Sequence, residues 1–206
     1  IDADGQPIRL GDSVDDWQRA DFRRLDSGWR AVTGQATDSP TLRAWLERPR
    51  GHSKTSDIAV QVVWALFASR RQLSGYAAAA DRDQAALLRN AIQRLASLNQ
   101  WLGKILDVQA WKVTNRHTGS SLEIISSDSA SSFGLLPDFV VCDELTHWKS
   151  PDLWHSLVSS AAKRANCLLL IITNAGFGES WQWQTREAIR TDPHWYFSRL
   201  SGPHAK

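Results

Sequence analysis

Arg50-Gly51-His52-Ser53-Lys54-Thr55 is the stretch on which the fold of this chain turns. A short apolar segment, Leu42-Arg43-Ala44-Trp45-Leu46, precedes it, and the apolar run Ile58–Phe67 follows at a length suited to a buried helix. Strand, polar loop with a Lys-Thr pair, then helix is the context of a phosphate-binding loop. The first turn of a helix leaves backbone N–H groups unpaired and carries the positive end of its macrodipole. Successive loop N–H groups then cradle phosphate oxygens. A Lys ammonium adds a point charge, and a Thr hydroxyl is a hard ligand for Mg²⁺. Against the pattern G-x-x-x-x-G-K-[ST], Arg48 and Ser53 stand in the two glycine positions, and Gly51 alone supplies backbone freedom.

The second signal is Phe139-Val140-Val141-Cys142-Asp143-Glu144, an apolar strand that stops at paired acids about ninety residues after Lys54. That is the Walker B pattern. The first acid reaches Mg²⁺ directly or through water, and the second orients and deprotonates a water attacking a γ-phosphate. The separation leaves room for intervening strands and helices.

Composition sets the frame. With 206 residues and 42% apolar content, the chain suits one sizeable α/β domain or two small ones. A formal net charge of +2 is too small to argue nucleic-acid binding from the total field. The clusters Arg19…Arg23-Arg24 and Arg70-Arg71 read as solvated faces. Cys142 and Cys167 lie in apolar runs and read as buried hydrophobes in a reducing compartment. No His/Cys grouping supports a zinc site. No apolar run reaches ~18 residues, so no membrane span is expected. The absence of methionine, even at position 1, marks the chain as a piece of a longer protein or a processed form. Of the eleven tryptophans, some belong to the core and others to interaction surfaces.

Along the chain, residues 1–13 read as a loose lead-in, and a helix starts near Asp15 with Ser13 as its N-cap. Residues 34–40 form a linker. Gly75–Ala80 is a strand ending at Asp81, which caps a helix with Leu87, Leu88, Ala91, Ile92, Leu95 and Leu98 on one face and an end before Gly103. Val108–Val113 alternates as a strand, turns through residues 115–119, and returns as Leu122–Ile125. A Ser-rich stretch, Ser126 to Ser132, leads to Gly134. Pro151 opens a helix through Val158, Cys167–Ile172 is the most apolar strand, a helix spans residues 179–190, and Trp195–Phe197 is a last strand. Strands alternating with helices indicate an α/β fold with a mostly parallel central sheet and helices on both faces. Ligands in such sheets sit at the carboxyl ends of the strands. That rule gathers Arg50–Thr55, Asp81, Asp143-Glu144 and Thr173-Asn174 in one region.

Taken together, these motifs resemble the ATPase domain of the large terminase subunit of tailed bacteriophages, the DNA-packaging motors. The resemblance covers roughly residues 15–200. Trp17-Gln18 resembles the family's adenine-side motif, and residues 50–55 its deviant Walker A, which often carries an Arg ahead of the Lys. Residues 76–85 resemble its second strand followed by a D-x-x-Q-A helix start, residues 132–145 its approach to Walker B, and Thr173-Asn174-Ala175-Gly176 its coupling motif. Ser53 departs from the commoner Gly, Asn174 from a commoner Thr or Ser, and Phe133 stands where many relatives place a basic residue. The arginine finger is left among Arg116, Arg164 and Arg186.

The resemblance implies a three-layer P-loop NTPase of the additional-strand (ASCE) type, with ATP and Mg²⁺ as ligands. Residues 1–40 would be the lead-in and adenine-side helical segment, and 41–206 the ATPase core, with the family's nuclease domain lying outside this chain. Lys54 would hold the β- and γ-phosphates, aided by Gly51, His52, Ser53 and Thr55. Thr55 and Asp143 would serve the metal, and Glu144 would be the general base. Arg50 either senses the γ-phosphate or is a surface arginine. Trp17 and Gln18 would meet the adenine, or Trp17 is a core residue. Thr173 and Asn174 would report phosphate loss to the moving parts, or Asn174 is a turn residue. His147 and Trp148 read as packing. The partners implied are double-stranded DNA, the portal protein, the small terminase subunit and further copies in a ring, in the host cytoplasm at the procapsid. Two alternatives stay open: a helicase-like ATPase on nucleic acid, and a nucleotide-binding assembly module without turnover.

Overall fold

The computed structural model describes residues 6, 8–126, 134–176 and 178–201. In chain order the elements are α1 (Leu10–Ser13), α2 (Asp16–Val32), β1 (Arg43–Glu47), α3 (Lys54–Ala68), β2 (Ser74–Ala79), α4 (Arg82–Leu98), α5 (Gln100–Ile105), β3 (Leu106–Val108), β4 (Lys112–Asn115), β5 (Ser121–Ser126), β6 (Phe139–Asp143), α6 (Asp152–Ala161), β7 (Leu168–Thr173), α7 (Trp181–Thr191) and β8 (Tyr196–Arg199). A single 3₁₀ turn, Leu145–His147, follows β6.

The described strands make one sheet in the order β3-β4-β5-β2-β6-β7-β1-β8. From β5 to β8 every neighbour is parallel, and β3 and β4 add an antiparallel hairpin at one edge. β7 separates β1 from β6, the additional strand that the resemblance implied.

The continuous apolar strands follow from burial on both faces. Along β7, Leu168, Leu170 and Ile172 join a core with Leu25 and Trp29 of α2, Ile58 and Val62 of α3, and Leu88 and Ile92 of α4. Leu169 and Ile171 point the other way, toward Trp154 and Leu157 of α6 and Ile189 of α7. Successive side chains on a strand alternate faces, so a strand with helices on both sides needs apolar residues at every position. Each fully buried Leu or Ile contributes roughly 2 kcal/mol. The alanines of β2 are weak strand formers, yet β2 lies between β5 and β6 with Ala77, Ala78 and Ala79 buried, where position in the sheet overrides propensity.

Three local expectations are corrected. Ser13 belongs to α1, and α2 is capped by Asp15, whose side chain and that of Gln18 form a reciprocal capping box. The helix that Asp81 caps does end before Gly103, at Leu98, and a further short helix, α5, begins after Asn99 and contains Gly103. Residues 108–113 are not one strand, because the chain reverses between β3 and β4 so that Val108 faces Val113. The last strand runs to Arg199 rather than Phe197. Residues 1–5, Ser127–Ser132 and Phe133 lie outside the described residues. No helix among the described residues is long and apolar enough to cross a membrane.

Candidate nucleotide site

The loop between β1 and α3 sits at the carboxyl edge of the sheet. Gly51 takes φ +83°, a left-handed conformation open to glycine without penalty. Ser53, in the second glycine position, takes φ 50° as the N-cap of α3. A non-glycine residue there carries roughly 1 kcal/mol of strain.

Lys54 is the first residue of α3. Its ammonium lies 2.9 Å from Glu144 Oε1 and donates to the Arg48 carbonyl at 3.2 Å, with its side chain 7% exposed. Thr55 Oγ1 donates to Asp143 Oδ2 at 3.4 Å. The basic and acidic motifs therefore converge, across the intervening β7, on one place. The loop is tied to that strand by the Arg48 N–H, which donates to the Thr173 carbonyl at 2.9 Å.

Asp143 is buried, and burial together with the neighbouring Glu144 carboxylate pushes its carboxyl up to about 7. Its Oδ1 is buried with no hydrogen-bond partner among the described residues. An orphaned carboxylate oxygen beside a Thr hydroxyl is a pair of hard oxygen donors, and it fits a small divalent cation that takes its remaining ligands from phosphate and water. No group of three or more His, Cys, Asp or Glu side chains gathers as a metal cage among the described residues. Glu144 is held in left-handed backbone geometry, φ 47°, as the chain leaves β6. Its Oε2 accepts the Asn174 N–H at 3.3 Å.

On the other side of the loop, a cavity of about 1200 Å³ is lined by Trp17, Gln18, Gly51, His52, Ser53 and Asp57, among others. The Gln18 amide is oriented by its neighbours: Oε1 accepts the Asp15 N–H at 2.8 Å, and Nε2 donates to both Asp57 oxygens at 2.9 Å. Burial raises Asp57 to about 6 despite that hydrogen bond. His52 Nδ1 lies 3.2 Å from the Arg50 carbonyl, and its Nε2 is buried without a partner among the described residues. Trp17 lies 6.4 Å from the His52 ring and 5.1 Å from the Arg48 guanidinium.

Sequence reasoning treated Arg48 as a missing glycine. The structure gives it a task instead. Its guanidinium is buried, paired with Asp21 of α2, and bonded to Ser198 of β8 at 2.7 Å through Oγ. Asp21 in turn accepts from Tyr196 and Ser198. Arg48 thus fastens the loop to α2 and β8 from beneath. Asp57 was likewise missed; its only signal in the sequence is its place one turn after Lys54.

Arg50 is exposed, and its guanidinium makes no hydrogen bond or ion pair among the described residues. Asp81 caps α4 by accepting from the Gln84 N–H at 2.9 Å. Of the finger candidates, Arg186 is buried against Glu47, with contacts of 2.5 and 3.1 Å. Arg164 pairs with Asp138 at the amino end of β6, and Arg116 pairs with Asp107 of the hairpin. None of the three lies beside Lys54.

Comparison with known proteins agrees with this fold. Residues 16–189 match the family described as terminase large subunit, ATPase domain. Among solved structures, the large terminase of bacteriophage HK97 superposes with a TM-score of 0.77 at 21% identity, covering 98% of this chain and 41% of that one. The ATPase domain of the large terminase of Thermus phage P74-26 gives 0.62 at 17% identity, covering 82% of this chain and 83% of that one. The large terminase of another thermophilic bacteriophage, solved in complex with ADP, gives 0.61 at 12% identity, covering 86% and 45%. At these identities the solved structures speak for the fold, and the chain spans less than half the length of the HK97 protein. No match is found among curated proteins.

Proposed function

Because the chain belongs to the terminase large subunit ATPase-domain family, we propose that it hydrolyses ATP with Mg²⁺ to drive double-stranded DNA into a procapsid, working in a ring of copies docked on a portal with a small terminase subunit, in the host cytoplasm. One observation carries the hydrolytic part: Lys54 and Thr55 meet Glu144 and Asp143 within hydrogen-bonding distance.

The residues divide the work. Residues 1–40 bring Trp17 and Gln18 to the adenine side, and residues 41–206 supply the phosphate side. Free N–H groups of the loop at Gly51, His52 and Ser53, with the amino end of α3, cradle phosphate oxygens. Lys54 moves from Glu144 to the β- and γ-phosphates. Freed of that ion pair, Glu144 accepts the proton of the attacking water, so substrate arrival arms the base. Thr55 and Asp143 would hold Mg²⁺, which supplies charge neutralisation on the phosphates. Arg50, exposed at the loop, reaches toward the γ-phosphate. Thr173 and Asn174 relay the loss of phosphate.

The test is steady-state phosphate release from Mg²⁺ and ATP, with and without chelator. Lys54→Ala should abolish release. Glu144→Gln should retain ATP binding and lose turnover by roughly 10³-fold. Hydrolysis by Glu144→Gln at the parental rate would remove Glu144 as the base.

A further inference from the structure

We infer that the Thr146 hydroxyl locks the Glu144 carboxylate and the turn after β7 into one unit, making Thr146 a positioning residue for hydrolysis; this rests on the ATPase reading above. Thr146 lies in the 3₁₀ turn that follows the paired acids. Its hydroxyl is 3.0 Å from Thr173 Oγ1 and donates to Asn174 Oδ1 at 2.8 Å. Its own N–H donates to Thr173 Oγ1 at 3.3 Å.

The proton count makes the arrangement directional. A hydroxyl has one proton to give. With the Thr146 proton committed to Asn174 Oδ1, the short contact to Thr173 requires Thr173 to donate. The chain therefore runs from the Thr173 hydroxyl to the Thr146 hydroxyl to the Asn174 carbonyl. Three neighbours agree on the Asn174 amide orientation. Its Oδ1 also accepts the Gly176 N–H at 3.1 Å, and its Nδ2 lies 3.3 Å from His147 Nε2. The Asn174 backbone N–H closes the loop by donating to Glu144 Oε2.

Packing points the same way. Gly176 sits at φ +67°, and a Cβ there would come within 2.6 Å of Thr146 Cγ2. The turn at residues 174–176 is folded directly over the Thr146 methyl. On its open side lies a cavity of about 450 Å³ bordered by Glu47, His147, Asn174 and Arg199, which gives the turn room to move. A displacement of Asn174 then carries Thr146, and Thr146 is two residues from Glu144. The base and the turn change position together.

The experiment compares Thr146→Val, which keeps the methyl and deletes the hydroxyl, with Thr146→Ser, which keeps the hydroxyl. Amide hydrogen exchange at Asn174 and Gly176 is followed in the nucleotide-free chain, alongside phosphate release and binding of a fluorescent ATP analogue. The valine variant should exchange at these two amides at least tenfold faster, bind the analogue within twofold of the parent, and lose kcat by roughly 30-fold. The serine variant should restore both readouts to within threefold. Unchanged exchange in the valine variant, or a serine variant as impaired as the valine one, would overturn the inference. So would a parallel loss of binding and kcat, which marks a general disturbance of the pocket. A parent chain that releases no phosphate defeats the ATPase reading instead, and the exchange comparison still decides whether the hydroxyl locks the turn.

Discussion

β6 begins and ends next to a buried aspartate, and the two are treated in opposite ways. At its amino end Asp138 is 2% exposed and well partnered: it accepts the Ser74 N–H at 2.8 Å and pairs with Arg71 and Arg164, each at 2.8 Å. At its carboxyl end Asp143 is 4% exposed, touches Thr55 at 3.4 Å, and leaves Oδ1 unpaired among the described residues. A buried carboxylate without partners is costly unless a cation completes it. The amino edge of the sheet is therefore built for stability. The carboxyl edge holds charge in readiness, and the left-handed Ser53 and Glu144 stand on the same side.

The contrast can be broken at either end. The largest effect is expected at Asp143. Asp143→Asn should lower phosphate release by roughly 10³-fold by removing the carboxylate proposed to hold Mg²⁺. It should also stabilise the nucleotide-free chain at pH 8. The sign follows from the carboxyl being raised from 3.8 in the open chain to about 7 in the fold. Between those pH values the folded state holds a proton that the unfolded state has released, so stability falls as pH rises from about 4 to about 7. Above pH 7 the ionised carboxylate weighs against the fold by about 4 kcal/mol, and Asn removes it. Thermal melts of both chains at pH 5 and pH 8 measure this; a variant less stable than its parent at pH 8 contradicts it.

Asp138→Asn should do the reverse, destabilising by about 2 kcal/mol while phosphate release stays within twofold. The figure sits below that for a fully buried pair because Arg71 and Arg164 are 42% and 39% exposed and water takes over part of their solvation. Urea midpoints would decide it. The smallest effect concerns the loop itself. Ser53→Gly relieves the positive φ but frees the unfolded chain, for a net gain under about 1 kcal/mol. A loss of stability would show that the serine side chain holds the loop.

Much of this was legible along the chain because the signals are local. Apolar runs with strand length, a polar loop before a helix, and acids at the end of a strand each report on a few neighbouring residues. Ser13 failed as a cap because Asp15 and Gln18 form a better reciprocal pair. The strand drawn over 108–113 failed because alternation alone does not reveal a tight reversal at residues 109–111. Arg186 looked available as a finger and is buried against Glu47, 139 residues away.

What the order of residues determined by itself is the sheet with its covered faces and the basic and acidic motifs at its carboxyl edge, since hydrophobic period and turn chemistry act over a few positions. Tertiary structure decided what fills the space between them. It seats Arg48 under the loop against Asp21, turns Gln18 toward Asp57, and joins Thr146 to Asn174. Those pairings link residues 27, 39 and 28 positions apart. Only closure of the sheet brings them together, because a hydrogen bond is set by distance in space and not by separation along the chain.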